Sequence, residues 1–273
     1  MVEAALLAAL GVVLGAFGTL VGVGGGFLLV PILLFVYPDT PAQTITAMSL
    51  FVVFANAVSG SVAYWRQRRV DVLTGLIFAA ATLPGAVVGA VVVGHISREV
   101  FNLIFAGALA LIGLSLLLPR PQSVIRPPLR GRGVLRREVT DRTGTTYIYG
   151  YRIWQGVAIS LGVGFVASLL GIGGGIVHVP VMAVVLHFPV HIATATSQFV
   201  LALMAGQASS VHFVTGTLGW NETLARAGII AVGAIVGAQF GAAFSQRVQG
   251  VTIIRVLGVA MLLVSLRLAF TAG

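Results

Sequence analysis

Two stretches of 18 residues, 76–93 and 101–118, contain no charged side chain. As a helix, each rises about 27 Å at ~1.5 Å per residue, close to the roughly 30 Å of a bilayer's hydrocarbon core. The whole chain follows suit, with 58% apolar and 8% charged residues, where a soluble domain carries about 25% charge. A surface so poor in charge is stable in lipid rather than in water. The fold expected is therefore an all-α integral membrane protein.

The net charge of +9 does not point to nucleic acid. All 16 basic residues are Arg, and most lie between the apolar runs or in one central linker. That is how topology-setting loops look. The absence of Cys excludes disulfides, thiolate metal sites and thiol relays. The start, Met1-Val2-Glu3, lacks a basic leader region, so the first apolar run reads as a retained helix.

A duplication organises the chain. Gly22-Val23-Gly24-Gly25-Gly26 recurs as Gly171-Ile172-Gly173-Gly174-Gly175, and Pro31 and Pro180 follow at the same distance. Pro41 and Pro189 come next, then Thr46 to Phe51 against Thr194 to Phe199, and Gly85 and Gly89 against Gly233 and Gly237. Each half reads as five apolar elements: 2–21, 26–37, 42–64, 72–94 and 99–118, then 152–171, 175–188, 190–215, 222–244 and 250–270. The domain division expected is a first membrane repeat at 1–118, an Arg-rich linker at 119–151 and a second repeat at 152–273.

The second element of each half is too short to span, follows three glycines and contains a proline. Short Gly/Pro-interrupted segments at matching places mark transporter binding sites. We expect these two helices to meet near the midplane. The linker, with four prolines and seven arginines, reads as a soluble connector in which Thr145 to Tyr151 offers pairing as a short hairpin. A lid or a clamp on anionic lipid is the sharper alternative. With five elements per half the repeats are inverted, which places 13 Arg on the linker side and 3 opposite. The Arg-rich side is the expected cytoplasmic one, in a bacterial inner membrane. An eight-span arrangement with parallel repeats is the competing topology.

Several residue types fit an anion site. Glycine runs admit close approach of backbone or ligand, and the helix N-termini behind them present unpaired N–H groups and a positive dipole end. Gly24, Gly25, Gly26, Gly173, Gly174 and Gly175 are thus candidate binding residues, against tight helix packing as the plainer use. Ser49, Asn56, Ser197, Gln198 and Gln207 lie in the apolar elements that follow, and polar side chains in lipid turn to the protein interior. His178 stands three residues past Gly175, where the first half has Leu29, and is the candidate for proton coupling. His187 and His191 are separated by Pro189, which argues against a metal pair. None of the seven acidic residues falls mid-span, which favours an anionic over a cationic substrate. No Walker motif occurs, and the reading includes no cofactor and no metal.

The doubled Gly-x-Gly-Gly-Gly-x4-Pro, each followed by an Ala-x-Ser step at Ala47–Ser49 and Ala195–Ser197, resembles the TauE/SafE family of sulfite exporters, also called the toluene-sulfonate uptake permease family. The resemblance covers both membrane halves. It implies a secondary transporter for sulfite or small organosulfonates rather than an enzyme, with Gly24 to Gly26, Pro31, Ser49, Gly173 to Gly175, Pro180 and Ser197 carrying the motif. An anion channel for small oxyanions shares the electrostatics. The partners expected are the small anion and membrane lipids, with proton coupling and no nucleic acid.

Overall fold

The computed structural model describes residues 2–117, 132–219, 222–245, 255 and 258–266. The described residues form helices and one β-hairpin. In order, α1 runs Val2–Val21, α2 Gly26–Val36, α3 Ala42–Arg66, α4 Val72–Val92 and α5 Arg98–Leu117. The strands β1 Val134–Thr140 and β2 Thr146–Arg152 follow, then α6 Ile153–Leu170, α7 Gly175–Pro180 with a π turn over Val181–Val185, α8 Val190–Val214 and α9 Glu222–Phe244. Among the described residues, α1, α3, α4 with its 3-10 extension to His95, α6 and α9 are long and apolar enough to cross a membrane. Most of the tenth expected element, 250–270, and the linker's 119–131 lie outside the described residues.

The described residues are mostly helical, as expected, and part of the linker forms the short antiparallel hairpin that the sequence offered, with Val134 opposite Arg152 and Thr140 opposite Thr146. The alternating side chains of β2 account for it: Tyr147, Tyr149 and Tyr151 turn one face to the protein and bury Tyr149 and Tyr151. One expectation needs correction: the seventh element is not one uniform helix. Pro180 has no N–H to donate, and beyond it the turns widen, with Leu186 N–H reaching Val181 and Phe188 N–H reaching Met182.

The helices pack in reciprocal pairs. α1 crosses α9, where a methyl group on Gly11 would overlap the Ile230 carbonyl and one on Gly237 would overlap that of Val12. α4 crosses α6 in the matching way, with Gly85 against Leu161 and Gly164 against Thr82. Lipid supplies no hydrophobic drive between helices, so close backbone approach at small residues carries the association. Between these pairs lie α3 and α8, in contact with each other; α3 also packs on α9 and α8 on α4. Most of α3 is buried. The outer faces of α1, α4, α5 and α9 expose Val13, Val88, Leu111 and Val232 among other apolar side chains, a surface suited to acyl chains.

The two ends of the bundle differ. At one, Arg98 donates to the carbonyls of Leu34, Tyr37 and Thr40 and so satisfies the C-terminal end of α2. Arg226 stands 3.4 Å from Glu3 and 4.9 Å over the Tyr37 ring at the same end. At the other, Gln67 after α3 donates to the Ala242 carbonyl of α9, and the hairpin docks. There Arg142 N–H donates to the Gln67 carbonyl at 3.0 Å. The Tyr149 ring lies 4.4 Å from that of Phe188, just past the π turn.

Candidate functional site

The two glycine loops meet backbone to backbone at the centre of the bundle. Gly24 and Gly173 stand against the same two side chains, Val53 of α3 and Leu201 of α8. A methyl on Gly26 would lie 2.8 Å from the Ile172 oxygen, and one on Gly175 2.5 Å from that of Gly22. Both distances are too short for a side chain, so only glycine permits this contact. Gly25 closes the loop at φ 80°, a left-handed conformation glycine adopts freely.

The serines expected to bind substrate hold the loops together. Ser49 donates to the Gly171 carbonyl at 2.7 Å, and Ser197 donates to the Gly22 carbonyl at 3.1 Å. Each hydroxyl thus reaches from one half into the glycine loop of the other. Both are fully buried and occupied as donors, which gives them first a positioning role.

The polar groups left free sit beside this contact. The Thr19 hydroxyl donates to Asn56 Oδ1 at 3.1 Å and accepts from Gln198 Nε2 at 3.2 Å. The Tyr64 hydroxyl donates to the Thr19 carbonyl at 2.7 Å and fixes that turn of α1. Thr19, Asn56 and Gln198 are each 0% exposed. Asn56 Nδ2 and Gln198 Oε1 have no partner among the described residues. One residue before Thr19, Gly18 packs directly on Gly24 and Gly25. The backbone N–H groups of Gly25, Gly26 and Phe27, at the start of α2, likewise find no acceptor among the described residues.

The other candidates lie apart from this group. His178 is buried, with its Nε2 3.2 Å from Ser160 Oγ of α6 and its ring stacked 6.2 Å from Phe78 of α4. It thus belongs to the aromatic cluster beneath the hairpin. Gln207 is partly buried on α8, and its Oε1 is unpartnered. Gly174 packs against Val163 and Met204. Thr19 went unnoticed in the sequence. Thr19 does carry a signal, since it is a lone hydroxyl three residues before the first glycine run, where Ser168 precedes the second.

The hairpin is anchored on Asp71, which caps α4 by accepting from Thr74 N–H at 3.2 Å. Its carboxylate also accepts from Arg137 at 2.7–3.0 Å, from the Tyr149 hydroxyl at 2.6 Å and from the Thr74 hydroxyl at 2.6 Å. Burial works to raise the Asp71 pKa, but the bonds from Arg137, Thr74 and Tyr149 outweigh it and hold it below the ordinary carboxylate value. Burial pushes the Tyr149 phenol up, reinforced by the Asp71 charge, and pushes that of Tyr151 up to about 12.

These features define a multi-pass membrane protein with a glycine-lined polar centre and a docked extramembrane hairpin, the build of a membrane transporter. The chain belongs to the sulfite exporter TauE/SafE family, whose pattern it matches over residues 7–268. It is 33% identical to the probable membrane transporter protein YunE of Bacillus subtilis (strain 168), covering 97% of each chain. It is 25% identical to the probable membrane transporter protein MJ0441 of Methanocaldococcus jannaschii, over 94% of this chain and 95% of the other. A probable membrane transporter protein of Haemophilus influenzae is 26% identical over 59% of this chain and 54% of its own. No solved structure matches.

Proposed function

We propose that this protein is a secondary transporter that exports sulfite or a small organosulfonate, by alternating access around the site formed by the glycine loops with Thr19, Asn56 and Gln198. The observation that carries the reading is the set of fully buried, unpartnered polar atoms beside the α2 N-terminus. Three free backbone N–H groups and the Asn56 amide supply donors for an oxyanion, and the helix dipole adds favourable potential. No cationic side chain is needed.

An inverted arrangement of the two repeats belongs to the same reading. α2 ends beside Glu3 and Arg226, where α1 and α9 begin, whereas the π turn after α7 ends beside the hairpin, where α4 and α6 begin. In this reading the first half enters from one end and the second from the other, each dipping to the centre and returning. Residues 1–118 and 152–273 are the two units that rock against each other. The hairpin and Arg66, Arg68 and Arg69 share one end, which we assign to the cytoplasm of a bacterial inner membrane by the distribution of Arg. Full burial of the site favours a carrier over a channel, since conduction needs a continuous wet path. Transport is proton-coupled in this reading, although His178 is engaged elsewhere.

The test is sulfite flux in proteoliposomes holding the full chain, with counterflow. Saturable flux that unlabelled sulfite on the far side accelerates, and that Asn56→Leu raises in KM, is expected. Non-saturating flux without counterflow would replace the carrier by a channel. No flux of sulfite or sulfonates in folded protein would remove the substrate class.

A further inference from the structure

The relay Thr19–Asn56–Gln198 has a polarity. A hydroxyl donates once, and here Thr19 gives its proton to Asn56 Oδ1 while accepting from Gln198 Nε2. The free end of Asn56 is therefore an N–H donor, and that of Gln198 is a carbonyl acceptor. Exchanging N and O in both amides reverses the relay but again leaves one donor end and one acceptor end. Both ends lie one amide width beyond the same hydroxyl, in a site with no exposure. A buried acceptor left unpaired costs binding free energy.

A fully deprotonated oxyanion satisfies only half of this site. It takes the Asn56 donor and the α2 N–H groups, but it has no proton for the Gln198 oxygen and meets that oxygen lone pair to lone pair. A second negative charge also adds to the desolvation cost where no cation compensates it.

Resting on the transport reading above, we infer that the site takes a singly charged anion carrying its own O–H: hydrogensulfite, or a sulfonate with a hydroxyl group. Its oxyanion accepts from Asn56 and the start of α2, and its O–H donates to Gln198. For sulfite, the proton then crosses the membrane on the substrate. Sulfite takes it from water on the loading side and returns it on the other, so proton coupling needs no titrating side chain.

The neighbouring groups fit this. Among the described residues of α1, α2, α3, α8 and α9, the titratable side chain hydrogen-bonded to the relay is the Tyr64 phenol. Arg66, His191 and His212 lie toward the ends of α3 and α8, and Glu3, Glu222 and Arg226 lie at the starts of α1 and α9. On α7, His178 faces Ser160 and Phe78 instead.

The experiment uses the wild-type full chain in proteoliposomes, with the KM for sulfite measured across its second ionisation. Two inhibitors that stay singly charged throughout, ethanesulfonate and 2-hydroxyethanesulfonate, are titrated at each pH. On the alkaline side, KM in total sulfite is expected to rise about tenfold per pH unit while both inhibition constants stay flat. The hydroxylated sulfonate is expected to bind about tenfold tighter than its partner. A KM that is flat or falls with pH, inhibition constants that move in parallel with it, or equal binding of the two sulfonates would each overturn the inference while leaving transport intact. Absence of sulfite flux and of sulfonate inhibition in folded protein would instead overturn the transport reading, and this inference with it.

Discussion

Arg137→Ala should release the hairpin from the membrane bundle without unfolding it. Arg137 spends its guanidinium on Asp71, whose side chain is 0% exposed. Removing one partner of a buried ion pair costs about 3–5 kcal/mol. Tyr149 and Thr74 still donate to the carboxylate, so the lower end, about 3 kcal/mol, is expected. That raises the undocked population roughly a hundredfold. A two-stranded hairpin is marginal without a surface to pack on, so its amides should then exchange. Asp71→Asn is the companion variant, because Asn caps a helix as well as Asp and α4 should persist while the ion pair is lost. In the double variant the Arg137 change should cost about 2 kcal/mol less than it does alone, since no buried charge remains to be stranded.

Hydrogen exchange reads this directly at Arg142, whose N–H is bonded to the Gln67 carbonyl across the docking contact. Protection at Arg142 should fall in Arg137→Ala while the amides of α3 and α4 hold. Unchanged protection there, or strictly additive costs, would refute the argument that the ion pair holds the hairpin. The sign of the pH effect follows from Asp71. Its docked pKa is lowered, so docking gains from ionisation above the ordinary carboxylate value and loses that gain only as pH falls through the lowered one. Docking should therefore be independent of pH through neutrality and fail in strong acid.

Other outcomes follow from single contacts. A methyl on Gly60 would stand 2.7 Å from Gln198 Nε2 and 2.9 Å from Thr19 Cγ2, so Gly60→Ala should displace the Gln198 amide. The variant should fold but show a KM for sulfite raised about tenfold. Ser49→Ala and Ser197→Ala each leave one carbonyl unpaired and should lower stability in detergent by about 1 kcal/mol, to a similar degree because the two bonds are counterparts. Gly237→Val drives a side chain into the Val12 carbonyl of α1 and should reduce thermal stability by about 1–3 kcal/mol or abolish expression.

The elements that depend on local pattern could be read from the chain. Uncharged runs gave the positions of α1, α3, α4, α5, α6, α8 and α9 to within a few residues, since length and hydropathy suffice in lipid. The glycine runs pointed to the centre because a doubled Gly-Gly-Gly has few uses besides close backbone contact. What the sequence hid were partners far apart in the chain. Nothing near Asp71 announces Arg137 or Tyr149, which lie 66 and 78 residues away, so the linker read as a connector. His178 looked central because it follows the glycines, but the turn of α7 aims its ring at Phe78 and Ser160.

Duplication also explains why the serines drew notice in the sequence and Thr19 did not. Matched residues stand out in a repeat, and the matched Ser49 and Ser197 do matched work at the loop contact. A site for one small anion has no need of symmetry. At the offset that aligns Ser49 with Ser197, Asn56 aligns with Met204 and Gln198 with Leu50, so each amide has an apolar counterpart in the repeat. Tyr64, which fixes the Thr19 turn, aligns with His212, and the first-half amide and the second-half amide converge on the single hydroxyl of Thr19. The symmetric residues build the crossing of the two loops, and in the proposed reading the unmatched ones supply the contacts to the anion. On that proposal, the residues to substitute first are those that break the repeat while remaining buried and polar.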